Sequence, residues 1–323
     1  MCSSDLYPIK SLRPDLPDRL VKMIQQMLSL KPEQRPGSAD QVSQEFEQMR
    51  QQLVQIHVKH GKAHLEKKEY EKAVQSFQKA ARAHPDNPEI YNSIGLIHYS
   101  RGKYELALKE FEKSLELTED KVSYNNRGLC HYYLQNYEEA IIDFSKAVQI
   151  DPKFAEAYNN RGLAYHKKKE YYRALQNFNR TLSLKQQDSS AYNNRGVTYS
   201  EQGEYDKAIF DFTRAIKIKP EESESYFNRG LAYLRKGNFQ AAIADLSQAL
   251  QFHPGDIQSY YQRGVAYVKL KEYKKARDDF QKALDLKPGS LRLTKNIELC
   301  DKKIKKKSSK RPSASEKSDG SGE

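Results

Sequence analysis

Residues 155–222 decide the fold, because they contain one pattern twice. Residues 155–188 read AEAYNNRGLAYHKKKEYYRALQNFNRTLSLKQQD, and residues 189–222 read SSAYNNRGVTYSEQGEYDKAIFDFTRAIKIKPEE. Both segments share the run YNNRG, a tyrosine nine residues after its glycine, and an alanine and a phenylalanine further on. Self-similarity at this period predicts a repeat architecture.

The glycine of this run recurs along most of the chain. Successive copies are separated by 34, 33, 34, 34, 34 and 34 residues: Gly61, Gly95, Gly128, Gly162, Gly196, Gly230 and Gly264. In the fourth copy Tyr158, Gly162 and Tyr165 are spaced i, i+4 and i+7, so they share one helix face. Ala174 and Phe178 form the matching stripe of a second helix. Each unit therefore predicts two packed helices, named helix A and helix B.

These features resemble the tetratricopeptide repeat over residues 54–290. The resemblance implies an all-α fold, a right-handed superhelix (α-solenoid) of seven helix-turn-helix repeats. The predicted bounds are 54–87, 88–120, 121–154, 155–188, 189–222, 223–256 and 257–290. In residues 291–307, Leu293, Ile297, Cys300 and Ile304 form an apolar stripe, which predicts a helix that caps the open end of the solenoid. Residues 308–323 are rich in Ser, Lys and Gly and predict a disordered basic tail.

The N-terminal segment does not follow the period. Residues 7–50 contain LPDRLV, Met27-Leu28 and KPEQRP, and they resemble the last two helices of the C-lobe of a serine/threonine protein kinase. The phosphate loop, the strand lysine and the catalytic loop of a kinase are missing. Residues 1–6 contain CSSDL, which one frame of a common sequencing adapter encodes, so we interpret them as a non-native leader of a truncated reading frame.

Composition and charge argue against several kinds of protein, among them membrane-spanning and disulfide-stabilised proteins. The 323 residues are 37% hydrophobic and 30% charged, with a net charge of +12, and no apolar run reaches the ~18 residues that span a bilayer. The basic balance alone does not favour nucleic acid or membrane, because no nucleic-acid motif accompanies it. Cys2, Cys130 and Cys300 are too far apart in sequence for a disulfide framework or a metal knuckle. A cytoplasmic location is expected.

Two rows of carboxamides are the candidate partner-binding residues. The inner row stands two residues before the glycine: Asn126, Asn160, Asn194, Asn228 and Gln262. The outer row stands three residues before it: Asn92, Asn125, Asn159 and Asn193. A carboxamide both donates and accepts, so such a ladder can bind the backbone of an extended peptide. Some tetratricopeptide superhelices, such as that of the O-GlcNAc transferase family, use an asparagine here in that way. The alternative is that these asparagines contact only the neighbouring repeat.

Arginine and aspartate recur as a candidate structural pair. Arg127, Arg195, Arg229 and Arg263 precede their glycines, and sixteen residues later stand Asp143, Asp211, Asp245 and Asp279. Arg161 faces Asn177 in the same register. We expect a hydrogen-bonded pair between helices A and B of one repeat, and the rival interpretation is an arginine row that binds acidic groups. The predicted structural glycines are Gly95, Gly128, Gly162, Gly196, Gly230 and Gly264.

No catalytic constellation is found. The sequence lacks GxGxxG, GxSxG, HExxH and P-loop motifs, and His57, His60 and His64 lack further ligands for a metal. Aliphatic residues follow the glycines where a carboxylate clamp for chaperone C-termini needs asparagine. The sequence therefore predicts a non-catalytic protein–protein interaction scaffold that binds an extended peptide or protein partner, with no cofactor, no metal and no small-molecule substrate. The alternative is the C-terminal fragment of a serine/threonine kinase whose repeats recruit substrates or regulators.

Overall fold

The computed structural model describes residues 21–22 and 39–308. Residues 39–308 form fifteen α-helices and no strand. The helices are α1 (Ala39–Glu66), α2 (Tyr70–Ala83), α3 (Pro88–Ser100), α4 (Tyr104–Leu117), α5 (Lys121–Tyr133), α6 (Tyr137–Ile150), α7 (Ala155–Lys167), α8 (Tyr171–Leu184), α9 (Ser189–Glu201), α10 (Tyr205–Ile218), α11 (Ser223–Lys236), α12 (Phe239–Phe252), α13 (Ile257–Lys269), α14 (Tyr273–Leu286) and α15 (Leu291–Ser308).

Consecutive helices form antiparallel pairs, so the predicted all-α fold of helix-turn-helix repeats is confirmed. Odd-numbered helices from α1 to α13 are helices A, and even-numbered helices are helices B. The predicted leader, most of the kinase-like segment and residues 309–323 of the predicted tail lie outside the described residues.

Helix α1 begins well before residue 54, where the first predicted repeat begins. It runs without a break from Ala39 to Glu66, because this segment has no proline and Gly61 is its one glycine. Arg50 donates from Nε to the carbonyl oxygen of Ala83 at 2.6 Å and from Nη2 to Asp86 at 3.4 Å. These bonds hold the additional turns of α1 against the C-terminus of α2.

Each turn from helix A to helix B requires one residue with positive φ, seven positions after the glycine of helix A. The seven residues are Lys68, Gly102, Gln135, Lys169, Gly203, Gly237 and Lys271. A residue in the left-handed backbone conformation ends a helix, and the amide groups that follow it can then donate to the last carbonyl groups of that helix. Four of the seven have a side chain and are strained, which a glycine in that place avoids.

Residues 39–152 belong to the first of two compact units. In this unit Phe77, Phe111 and Phe144 of the helices B are almost fully buried. Phe77 packs in a cluster with Val54 of α1 and with Ile90 and Ile94 of α3. The core is therefore a series of small clusters, each shared by one repeat and the next.

Residues 153–308 belong to the second unit and contain α7 to α15. Phe178, Phe212, Leu246 and Phe280 occupy the position of the buried phenylalanines of the first unit. The last cluster joins Phe280 of α14 to residues of α15. Helix α15 thus covers the last repeat.

Candidate functional site

The inner-row asparagines are held in place by outer-row asparagines of the preceding repeat. In the first unit, Nδ2 of Asn126 donates to Oδ1 of Asn92 at 3.1 Å. In the second unit, Asn194 donates to Asn159 at 3.1 Å and Asn228 donates to Asn193 at 3.0 Å. Each bond joins two successive helices A. We call the face of the helices A that carries the inner row the groove face.

These three bonds use only part of the hydrogen-bonding capacity of Asn126, Asn194 and Asn228. Asn126, Asn194 and Asn228 are partly exposed, and within the described residues each uses a single amide N–H in a side-chain hydrogen bond. The side-chain oxygen of Asn194 and of Asn228 accepts no bond from those residues. A carboxamide with one donor and one acceptor still unused is suited to a peptide group, which offers the complementary pair.

The outer row has a different environment from the inner row. Asn125 and Asn193 are only 2% and 6% exposed. Asn193 accepts from Asn228 and also donates to Glu224 at 3.2 Å, so it contacts α11 through both its functional atoms. Asn193 therefore faces the next helix A, whereas Asn92 and Asn159 of the same row are partly exposed. Partner binding by the outer row stays a prediction.

The remaining inner-row residues differ in exposure. Asn160 is 8% exposed, whereas Gln262 on α13 is partly exposed. Beside the inner row, an aliphatic residue follows the glycine of every repeat from Gly95 onward. In the second unit these are Leu163, Val197, Leu231 and Val265, and all four are partly exposed. The groove face of the helices A therefore alternates carboxamide and aliphatic groups.

The arginines before the glycines point toward helix B of their own repeat. Arg195 donates from Nε and Nη2 to the two carboxylate oxygens of Asp211, both at 2.7 Å, and Asp211 is 1% exposed. The pairs Arg127–Asp143, Arg229–Asp245 and Arg263–Asp279 have the same bidentate geometry. This geometry favours the structural interpretation over an arginine row that binds acidic groups, because the fork of each guanidinium faces a buried carboxylate.

Arg161 is the exception that the sequence indicated. It donates from Nε to the side-chain oxygen of Asn177 at 2.8 Å. Burial lowers the pKa of Arg161, whereas hydrogen bonds to Asp143 raise the pKa of Arg127. The difference arises because Asn177 supplies an acceptor without an opposite charge.

These arginines make a third contact, which the arginine–aspartate spacing does not predict. In the second unit, Nη1 of Arg195, Arg229 and Arg263 donates to a small polar residue on helix B of the preceding repeat, at 2.6, 2.9 and 2.9 Å. The acceptors are Asn179, Thr213 and Ser247. Their 34-residue spacing was the signal that could have revealed them. Each arginine thereby joins two repeats.

The glycines permit the close approach of helices A and B. A Cβ atom built on Gly196 would lie 2.7 Å from the ring of Phe212, and on Gly162 it would lie 2.7 Å from Phe178. At Gly230 the neighbour is Leu246, at 3.0 Å. The predicted structural role of this glycine row thus rests on the lack of space for any side chain.

Residues 39–308 contain no group of three or more His, Cys, Asp or Glu placed to hold a metal ion. Burial raises the pKa of the Cys130 thiol to about 12, so it stays protonated at neutral pH and is a poor nucleophile. Among the described helices, none is both long and apolar enough to cross a bilayer.

Comparison with known families agrees with this architecture. Family models described as tetratricopeptide repeat match residues 58–122 and, as four separate copies, 155–188, 189–222, 223–256 and 257–290. A further model, described as TPR repeat, matches residues 128–169. The chain belongs to the tetratricopeptide repeat family. These matches lie within residues 58–290, so the kinase resemblance of residues 7–50 receives no support from them and stays a prediction.

Several solved structures have a similar fold but low sequence identity to this chain. A tetratricopeptide repeat protein from Parabacteroides merdae is 23% identical, with a TM-score of 0.61, over 77% of this chain and 99% of that one. The Cut9–Hcn1 hetero-tetramer of the APC/C matches at 17% identity and a TM-score of 0.61, over 72% of this chain and 48% of that one. The protein pilF of Pseudomonas aeruginosa matches at 18% identity and a TM-score of 0.57, over 69% and 98%. No curated protein gave a significant match.

Proposed function

We propose that this tetratricopeptide repeat protein is a non-catalytic interaction scaffold, and that it binds an extended peptide segment of a protein partner along the groove face of its helices A. The observation that carries the proposal is the anchoring of Asn194 and Asn228. Each donates one N–H to the preceding repeat, and both residues are partly exposed.

Anchoring matters because it fixes the carboxamide before the partner arrives. A free asparagine side chain loses rotamer freedom on binding, at about 0.5–1.5 kcal/mol for each immobilised side chain. Here the bond to Asn159 or Asn193 has already fixed the rotamer. The affinity gained from each peptide hydrogen bond is correspondingly larger.

The spacing of the repeats suits an extended chain. Packed helices lie about 8–10 Å apart. An extended peptide advances about 3.3 Å per residue, so successive helices A meet every third residue of the peptide. The aliphatic residues Val197 and Leu231 lie beside the carboxamides and offer contacts for apolar side chains of the partner.

The groove does not contain the clamp that binds the C-terminal carboxylates of chaperones. Leu163, Val197 and Leu231 follow the glycines, where the clamp needs asparagine, and an aliphatic side chain cannot donate to a carboxylate. The proposal therefore concerns internal extended segments, read mainly through their backbone.

Selection from a random 16-residue peptide library displayed on phage tests the proposal. We expect peptides enriched on the intact chain to lose affinity at least about thirtyfold for Asn194→Ala/Asn228→Ala. The two carboxamides can form up to four peptide hydrogen bonds, and each contributes about 0.5–1.5 kcal/mol net.

The matched control is Gln176→Ala/Gln248→Ala, which removes two exposed carboxamides from helices B. This variant should bind the selected peptides as the parent chain does. Equal affinity for both double variants, or a library that yields no enriched peptide, overturns the proposal.

A further inference from the structure

Helix α15 has the register of an eighth helix A. Helix A buries its third and tenth positions, as Ser259 and Ala266 show in α13, both fully buried. The residues 34 further along are Leu293 and Cys300, which are 4% and 1% exposed. Helix α15 packs on α14 through these positions, so it occupies the place that the next helix A would take.

A contact between helices confirms the register. Between successive helices A, Asn193 of α9 donates to Glu224 of α11 at 3.2 Å. The corresponding positions of α13 and α15 are Tyr261 and Arg292. The Arg292 guanidinium lies 4.4 Å from the centre of the Tyr261 ring. The same two positions meet at this junction, although the chemistry is cation–π instead of carboxamide–carboxylate.

This register places groove residues on α15. Asn296 follows Asn228 and Gln262 at 34-residue intervals, so it continues the inner row, and it is partly exposed. Leu299 continues the aliphatic row and is 48% exposed. The recurring glycine does not point to either residue, because the eighth copy has Glu298 in its place.

At three positions of this face, α15 has a lysine or an arginine where the other helices A of the second unit have neither. Arg292 stands where α11 has Glu224 and α13 has Gln258, and Lys295 stands where α9 has Asn193. Lys302 stands where α13 has Val268, whereas Lys303 stands where α13 also has a lysine, Lys269. Lys302 and Lys303 are both exposed.

The lysines on this face are available to a partner. Within residues 39–308, no carboxylate forms an ion pair with Lys295, Lys302 or Lys303. The nearby Asp301 is already bound by Arg277 of α14 at 2.8 Å. A positive potential at this end of the groove favours a negatively charged segment.

We infer that α15 forms the terminal, cationic subsite of the groove, and that it binds acidic side chains of the extended partner segment. The inference rests on the proposed function. Asn296 binds the peptide backbone as Asn194 and Asn228 do, and Lys295, Lys302 and Lys303 bind Asp or Glu side chains. Because Arg292 and Lys303 are about 16 Å apart along the helix, several acidic side chains match the subsite better than one terminal carboxylate.

The test uses the same random 16-residue library on the full chain and on Lys295→Gln/Lys302→Gln/Lys303→Gln. The control, Lys217→Gln/Lys274→Gln/Lys282→Gln, changes net charge equally on exposed positions of helices B. Peptides selected on the parent chain and on the control should be enriched in Asp and Glu toward one end. This enrichment should vanish on the α15 variant.

Affinity of one selected peptide, labelled with fluorescein, completes the test. Changing its acidic residues to Gln or Asn should weaken binding to the parent chain at least fivefold but leave binding to the α15 variant unchanged. Asn296→Ala in the parent chain should also weaken binding of the selected peptide. An α15 variant that selects the same acidic peptides overturns the subsite, while continued dependence on Asn194 and Asn228 would leave the proposed function intact. A parent chain that enriches no peptide overturns both.

Discussion

The replacement Asp211→Asn tests the arginine–aspartate pairs most sharply. Asp211 is 1% exposed and accepts two hydrogen bonds from Arg195, both at 2.7 Å. Asparagine retains one acceptor, as Asn177 does for Arg161 at 2.8 Å. The variant therefore loses one hydrogen bond between charged groups and the attraction of the charges. Since a hydrogen bond to a charged group contributes about 1.5–3 kcal/mol, we expect the free energy of unfolding to fall by about 2–3 kcal/mol.

Urea and thermal unfolding followed by circular dichroism measure this loss, with a decrease in Tm of roughly 5–10 °C. The control is Asp206→Asn on the same helix. The Asp206 side chain is 80% exposed and pairs with Lys236, so its removal should change stability by less than about 1 kcal/mol. If the two variants lose equal stability, the buried pair does not hold the repeat together, and the reasoning is wrong.

Three further predictions concern packing, turns and pH. Gly196→Ala should destabilise the fold by about 1–3 kcal/mol, because its Cβ would lie 2.7 Å from Phe212, and adding Phe212→Leu should recover part of the loss. Lys169→Gly should raise the free energy of unfolding by about 0.5–1 kcal/mol, because Lys169 has a φ of 62°. Gly102→Ala should lower the free energy of unfolding, because Gly102 has a φ of 69°. Urea midpoints measure both changes. Burial lowers the pKa of His166 in the folded chain, so the unfolded chain binds more protons once the pH falls below the ordinary pKa of histidine. The urea midpoint should therefore fall as the pH drops from 7 to 5. The fall should be less steep for His166→Asn.

The repeat architecture was predictable because its determinants are local and periodic. Glycine at one position and phenylalanine sixteen residues later leave one way for two helices to approach, as Gly196 and Phe212 show. The bidentate pair of Arg195 and Asp211 was likewise predictable, because its spacing recurs in most repeats.

Other features depend on contacts between repeats, which spacing alone did not reveal. Asn228 donates to Asn193, yet Asn193 is 6% exposed and Asn228 is partly exposed, although both are asparagine. The register of α15 was hidden because Glu298 stands in the place of the glycine. By contrast, the length of α1 follows from the sequence itself, because residues 39–66 contain no proline and a single glycine, so nothing breaks the helix before the first repeat.

An N-methyl scan of a selected peptide tests the central claim, that the groove binds the backbone of an extended partner. Each residue of the peptide is replaced in turn by its N-methyl form and, separately, by alanine, and affinity for the intact chain is measured by fluorescence anisotropy. If Asn194 and Asn228 bind peptide groups, N-methylation should weaken binding at least tenfold at positions about three residues apart, whereas alanine at those positions should have little effect. A peptide that tolerates every N-methyl group but loses affinity on alanine substitution would contradict the account.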